Sequence, residues 1–253
     1  MTVQDRQRRR RLAAPPRTRC LSVIALLLTL AVPAACRAER VPRAVDIDSP
    51  SALARRLASK TAGLKRVVLE RALTAYVCAG KRRLVGGKVL AVIDYSRPSS
   101  TRRLWAFDLA RERLLFRELV AHGRRSGENV ARSFSNVPGS AKSSLGLFRV
   151  EERYVGRHGR SLKLRGLEPG INDNAMKRAI VIHGASYVSA SLLKTQDRLG
   201  RSRGCPAVSR GSLDKVLEHL GYGTALFVYG NDTQWLSRSK FLKCLRKRPA
   251  TGG

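Results

Sequence analysis

The sequence predicts a mainly β fold, a strand-rich barrel or sandwich with helices outside it. Short apolar runs recur at turn-marked intervals, and helical patterns occur only before these runs and near the end of the chain. The apolar content of 43% is sufficient for a packed core, so the chain is not a disordered polycation. The predicted strands lie at 89–95, 104–109, 114–120, 145–150, 179–182 and 225–229.

Residues 1–38 contain the three parts of a secretory signal. An arginine-rich start precedes an apolar run at 21–32, and small residues follow it. Because this run is shorter than the roughly 20 residues that a spanning helix needs, we expect an exported protein of the periplasm or cell envelope, with no stable membrane span after cleavage. An uncleaved membrane anchor is the alternative. Cys36 leaves lipoprotein processing open, although Pro33 stands where such signals usually carry leucine.

The next segments read as a linker and a helical region. Residues 39–50 contain prolines and charges and are expected to form the linker. Helical spacing follows over 51–84, where Ser51 can cap a helix that carries Leu53 and Leu57 on one face. Glycines then stop the pattern, which predicts an N-terminal helical segment ahead of the strand-rich domain.

Residues 85–230 are expected to form the main domain. The runs at 104–109 and 114–120 flank a charged turn, which predicts a hairpin. A helix is predicted over 211–220, just before the last strand. Residues 231–253 are basic, and we expect a semi-ordered tail there.

The formal net charge of +32 restricts the possible partners. Basic residues are spread along the whole chain, aromatic residues make up only 6%, and no recognition motif interleaves the two, so nucleic acid is not an expected partner. For an exported protein the charge favours salt-dependent attraction to anionic polymers of the envelope. A well-solvated basic surface without such a partner is the alternative.

The cysteines argue against a metal site. The chain has no CxxC pair and no HExxH motif, so neither zinc nor another cofactor is expected. Cleavage after Ala38 would leave Cys78, Cys205 and Cys244, an odd number in an oxidising compartment. A bridge between Cys78 and Cys244 with Cys205 free is one solution; buried, unbridged thiols are the alternative that we favour.

A cysteine and a histidine form the candidate catalytic pair. Cys205 lies in a turn rich in glycine, serine and arginine, where Arg201 and Arg203 are expected to lower the pKa of its thiol. His183 ends an apolar run and precedes a glycine, so its ring can reach the mouth of a core. A thiolate attacks and an imidazole generates it, which predicts nucleophilic catalysis. The alternative is a structural cysteine and a structural histidine.

His122 and His158 are the other two histidines considered for the site. His122 also stands before a glycine at a strand end, so it is a candidate to face substrate or to compete as the base. His158 is expected to be exposed.

The segment His183-Gly184, followed by Ser202-Arg203-Gly204-Cys205, resembles the catalytic signature of the L,D-transpeptidases of the YkuD-type fold. Two departures stand out: Arg203 occupies the position of a second histidine, and Pro206-Ala207 replaces a pair that usually contains arginine or asparagine. The second departure leaves open how a substrate carboxylate is held. The stretch at 143–148 resembles a strand motif of the same family. Stretches at 93–96, 120–123 with 126–127, 134–140 and 178–188 resemble its murein L,D-transpeptidase catalytic-domain branch.

The resemblance implies a cysteine L,D-transpeptidase that acts on peptidoglycan stem peptides and needs no cofactor. Cys205, deprotonated by His183, would attack the amide between the third and fourth stem residues, release D-alanine and pass the acyl group to a neighbouring amine as a 3→3 cross-link. An L,D-carboxypeptidase or endopeptidase on the same scaffold and a non-catalytic, basic envelope-binding protein are the alternatives. The implied oxyanion and supporting residues are Gly204, Ser202 and Gly184, and the substrate-binding candidates are Arg203, Tyr187 and His122.

Overall fold

The structure, a computed structural model, describes residues 40–245. The predicted signal, the lipidation candidate Cys36 and the end of the basic tail lie outside the described residues. The helices are α1 (Pro50–Ser59), α2 (Arg66–Lys81), α3 (Ala190–Gln196), α4 (Arg210–His219), α5 (Thr233–Arg238) and α6 (Lys240–Lys243). The strands are β1 (Val89–Asp94), β2 (Leu104–Asp108), β3 (Arg113–Glu118), β4 (Gly146–Gly156), β5 (Gly159–Gly166), β6 (Val181–Ala185), β7 (Ala207–Ser209) and β8 (Ala225–Tyr229).

The strands form one 8-stranded sheet in the order β3-β2-β1-β8-β4-β5-β6-β7. The β1–β8 and β6–β7 pairs are parallel and the other pairs are antiparallel. A bridge between Ala121, just beyond β3, and Ala207 at the start of β7 brings the two edges together, so the sheet is nearly a closed barrel. The predicted strand-rich fold with outer helices is therefore confirmed.

Strands β5 and β7 and the outer part of β4 were not predicted, because the sequence has no apolar run at these positions. β4 was expected to end at residue 150, but it runs on to Gly156 through charged residues whose side chains are mostly exposed or half-buried. β5 buries only Ser161, Leu162 and Leu164 of the sequence GRSLKLRG, and β7 is only 3 residues long. The outer ends of β4 and β5 form a hairpin that extends beyond the core, where pairing of the backbones rather than burial holds the strands.

The N-terminal helices pack against the sheet and share one hydrophobic core with it. α2 buries Leu69, Leu73 and Tyr76 completely, because these residues recur on one helical face. The predicted cap Ser51 is wrong: Ser49 caps α1 by accepting the Ala52 N–H at 3.3 Å, with proline at the first helical position.

The predicted linker and tail are both packed where the structure describes them. In the segment before α1, the Val45 N–H donates to the Tyr76 hydroxyl at 2.7 Å. The expectation of a semi-ordered tail is wrong for residues 231–245, where two capped helices bury Trp235 and Phe241 against the core. None of the helices within residues 40–245 is both long and apolar enough to cross a membrane.

A disulfide joins Cys78 of α2 to Cys244 after α6, with 6.3 Å between the two Cα atoms. The unbridged alternative that we favoured is therefore wrong, and Cys205 is free. The bridge spans 166 positions of sequence and ties the C-terminal helices to the second helix.

Candidate active site

The two predicted catalytic residues, Cys205 and His183, line one cavity of 670 Å³. Three of the predicted supporting and substrate-binding residues, Ser202, Arg203 and Tyr187, line the same cavity. A second cavity of 480 Å³ lies beside it and also has His183 and Tyr187 in its wall. The wall that both cavities share is formed by Arg157, His158, His183 and Tyr187.

His183 is held inside a strand rather than at its end. In β6 it is paired with Ser161 of β5 on one side and with Ala207 of β7 on the other. Its Nδ1–H donates to the Gly184 carbonyl at 3.2 Å, because a carbonyl can only accept. The neutral ring therefore carries its proton on Nδ1, and Nε2 is left as an acceptor.

Burial lowers the pKa of His183, and His158 adds to this, while the Gly184 carbonyl opposes it. Gly184 also lets β6 approach α4 closely, since an added Cβ would meet Leu213 at 3.2 Å. A neutral imidazole with a free Nε2 is the form that a general base requires.

Cys205 is half-buried two residues before β7 begins, and its thiol donates to the Ala179 carbonyl at 3.6 Å. Burial raises the pKa of this thiol; a backbone hydrogen bond from Val181 and the charges of Arg178 and Arg157 oppose the rise. The expectation that Arg201 and Arg203 lower this pKa is wrong in its direction and in its residues. Because the resting group is a thiol, a base must remove its proton before attack.

Hydrogen bonds fix the turn that carries Cys205. The Ser202 hydroxyl donates to the Cys205 carbonyl at 2.6 Å and accepts the Gly204 N–H at 3.0 Å. Ser143 donates to the Gly204 carbonyl at 3.0 Å. Ser202 therefore joins both ends of the turn, and the Gly204 N–H is already engaged and is not free to stabilise an oxyanion.

Gly204 has a backbone reason of its own to be glycine. Its φ is +129°, and an added Cβ would lie 2.9 Å from the Lys142 carbonyl oxygen. Only glycine adopts this backbone conformation without strain, so the turn can pass this close to the neighbouring loop.

Arg178 is a residue that the sequence analysis missed. Its guanidinium donates to the carbonyls of Ser135 and Lys142, each at 2.6 Å, and to the hydroxyls of Ser140 and Ser144. It thereby fixes residues 135–144 against the Cys205 turn. Nothing in the sequence distinguishes Arg178 among the 50 lysines and arginines of the chain, so its role could not be predicted.

His122 is not a substrate-facing residue. It is completely buried, its Nδ1 accepts from Arg103 at 2.7 Å, and its Nε2–H donates to the Gly127 carbonyl at 3.1 Å. Burial and the charge of Arg103 lower the pKa of His122 to about 4. The prediction that it faces substrate or competes as a base is therefore wrong. Its own carbonyl accepts the Ser202 N–H at 2.9 Å and holds the turn that carries Cys205.

Tyr187 and the cavity arginines define the chemistry of the walls. Burial, together with Cys205, raises the pKa of Tyr187 to about 12, so its hydroxyl is a neutral donor. No carboxylate from the described part of the chain lines either cavity. The arginines that line them are Arg157, Arg160, Arg178, Arg201, Arg203 and Arg210. Two of these are ion-paired nearby, Arg160 with Asp214 and Arg201 with Glu128.

A free cysteine and a neutral histidine in one cavity of a strand-rich barrel form a site of the thiol–imidazole class. The family model of the L,D-transpeptidase catalytic domain matches residues 60–229, and the chain belongs to that family. The matched range contains both cavities' lining residues, and it begins earlier than the resemblance in the sequence suggested, within the helical segment.

Solved structures of this kind are distant from the chain. An L,D-transpeptidase from Mycobacterium smegmatis is 12% identical, with a TM-score of 0.37 over 57% of this chain and 60% of that one. The helical cell shape determining protein Pgp2 from Campylobacter jejuni is 14% identical, with a TM-score of 0.40 over 62% of this chain and 51% of that one. The chain thus spans less than two thirds of these two proteins. An L,D-transpeptidase (Yku) from Stackebrandtia nassauensis is 13% identical, with a TM-score of 0.35 over 77% of this chain and 98% of that one. A comparison with curated proteins found no match.

Proposed function

We propose that the chain is an exported cysteine L,D-transpeptidase of the cell envelope that acts on peptidoglycan stem peptides. The observation that carries the proposal is the shared cavity of Cys205 and His183 in a member of this family. The predicted signal at residues 1–38 supports export, and attraction to anionic envelope polymers fits the net charge of +32.

The proposed reaction has two acyl transfers. Cys205 gives its thiol proton to Nε2 of His183, and the sulfur bonds to the carbonyl carbon of the amide between the third and fourth stem residues. As the C–N bond breaks, His183 protonates the leaving nitrogen, D-alanine departs and a thioester remains. The amine of a neighbouring stem then attacks the thioester, loses a proton to His183 and forms the 3→3 amide, while the C–S bond breaks and the thiol is restored.

The developing oxyanion needs a donor other than Gly204. The Cys205 N–H is a candidate, because it donates to no backbone carbonyl among the described residues. It faces the thiol of its own residue and lowers the pKa of that thiol. Removing one such donor typically slows acyl transfer about 10²–10³-fold.

Arginines of both cavities are proposed to hold the carboxylates of the stem peptide. Arg157, Arg203 and Arg210 are exposed at the cavity walls, while Arg178 is occupied by loop carbonyls and hydroxyls. A guanidinium binds a carboxylate through two parallel N–H donors, which fixes both position and direction. These arginines would supply the contact with a substrate carboxylate that the pair Pro206-Ala207 lacks.

The test is product analysis by mass spectrometry of purified tetrapeptide muropeptides incubated with the protein and with the Cys205→Ala variant. Dimers that have lost one D-alanine, absent with the variant, are expected. Tripeptide monomers alone would replace transpeptidation by carboxypeptidase activity, in which water takes the place of the amine. Cleavage of a cross-linked muropeptide dimer, incubated in parallel, would indicate an endopeptidase. Unchanged substrate with folded protein would favour the non-catalytic, basic envelope-binding alternative.

A further inference from the structure

We propose that His158 is a positioning residue for His183: its ring stacks on the catalytic imidazole from the tip of the β4–β5 hairpin and fixes that imidazole in the orientation needed for catalysis. The inference rests on the proposed role of His183 as the base. Neither the motif nor the family match assigns a role to this residue.

The stack is close and nearly parallel. The two ring centroids are 4.4 Å apart, and the ring planes differ by 23°. His158 is exposed at the two-residue turn between β4 and β5, as expected from the sequence, so its position comes from the hairpin rather than from burial in a core. The neighbouring Arg157 orients the ring further, since its Nε–H donates to Nε2 of His158 at 3.3 Å.

The stack supplies what the hydrogen bond of His183 lacks. The single bond from Nδ1 to Gly184 fixes one atom of the ring, but it does not stop the ring plane from tilting. His183 lies in the wall of both cavities, and this open space leaves room for such a tilt. A second ring lying over its face removes this freedom, and Nε2 then keeps one direction.

Charge gives the stack a second effect. A protonated His183 would face the ring of His158 and several arginines, and no carboxylate of the described chain lines either cavity. These neighbours disfavour a positive charge on His183. His183 therefore stays a neutral base to a lower pH than a free imidazole. The titratable and charged groups facing it across the two cavities are Arg157 and His158 of the hairpin, Tyr154 of β4, Arg160 of β5, Arg178, Tyr187, Arg201, Arg203, Cys205 and Arg210.

Two measurements without any peptidoglycan substrate test the inference on the full chain. The first is the rate of Cys205 alkylation by iodoacetamide between about pH 5 and pH 9, followed by peptide mass spectrometry. The second is the titration of His183 by NMR, assigned with the His183→Ala variant. His158→Ala removes the stack, and His158→Phe keeps an aromatic ring that has no ionisable nitrogen. Val155→Ala is the matched control on the same hairpin, because Val155 is 79% exposed.

We expect His158→Ala to slow alkylation near neutral pH severalfold and to raise the pKa of His183. His158→Phe is expected to recover most of the alkylation rate while the pKa of His183 stays raised, and Val155→Ala is expected to match the unaltered chain. An unchanged His183 titration in His158→Ala overturns the inference, as does His158→Phe behaving no better than His158→Ala in alkylation.

The same experiment separates this inference from the proposed function. If His183→Ala leaves the alkylation profile unchanged, the base assignment itself fails, and the positioning role fails with it. If His183→Ala suppresses alkylation but the His158 variants do not differ from the unaltered chain, only the inference about His158 is overturned.

Discussion

Replacing Gly204 with alanine tests whether the backbone of the turn before Cys205 is as constrained as its geometry indicates. Gly204 has a φ of +129°, and the new Cβ would lie 2.9 Å from the Lys142 carbonyl oxygen, which is backbone and already accepts from Arg178. A side chain held in this glycine-only region costs about 1–3 kcal/mol. For a chain of this size each kcal/mol lowers Tm by about 2–4 °C, so a fall of roughly 2–12 °C is expected.

The loss of turnover in Gly204→Ala should exceed what its lower stability alone would cause. The turn can relieve the clash only by moving, and the Cys205 sulfur moves with it, while acyl transfer is sensitive to displacements of about 1 Å. Thermal unfolding followed by circular dichroism gives Tm, and alkylation of Cys205 together with muropeptide turnover gives the state of the site.

Gly211→Ala is the matched control in the helix that follows. Nothing lies within 4 Å of an added Cβ at Gly211, and its φ is not positive, so alanine should be neutral or should stabilise the helix by about 0.5–1 kcal/mol. The reasoning is refuted if Gly204→Ala unfolds at the same temperature as the unaltered chain and retains its turnover.

Three further predictions concern the groups around the turn and the disulfide. Ser143→Ala leaves the Gly204 carbonyl and the Gly123 N–H without their buried partner, which should cost about 1–3 kcal/mol in urea unfolding; an effect below a few tenths would contradict the network. The pKa of His122 is lowered to about 4 in the folded protein, so the unfolded chain takes up this proton at a higher pH than the folded one. The free energy of unfolding should therefore fall as pH falls from about 6.5 toward 4, by up to roughly 3 kcal/mol. In His122→Gln the urea midpoint should depend less on pH over this range. A Cys78→Ala/Cys244→Ala double variant opens a loop of 166 positions and should lose about 2–5 kcal/mol of unfolding free energy; an unchanged Tm would show that the bridge does not constrain the chain.

The barrel could be predicted because burial leaves a periodic signal. Runs such as the one that became β8 are buried at every position, and each of the six predicted strands is found in the sheet. β5 and the outer part of β4 lacked that signal, because their paired backbones extend beyond the core and their side chains face solvent. Helices α5 and α6 were missed because two buried aromatic residues, Trp235 and Phe241, stand among many basic ones.

The candidate site could be predicted only where its residues belong to a local motif. Cys205 and His183 stand at a turn and in an apolar run, and both line one cavity. Ser143 reaches the Cys205 turn across 61 positions, and Arg178 and His158 make tertiary contacts that no local pattern encodes. The prediction for His122 failed for the same reason, because its position at a strand end does not indicate its buried contact with Arg103.

The proposed covalent step is tested most directly by the intact mass of the protein after brief mixing with a disaccharide tetrapeptide. The proposal predicts an adduct equal to the muropeptide minus D-alanine, located on Cys205, absent in Cys205→Ala and strongly reduced in His183→Ala. An adduct that persists in Cys205→Ala, or a folded, unaltered chain that never acquires one although its substrate is consumed, would contradict a thioester at Cys205.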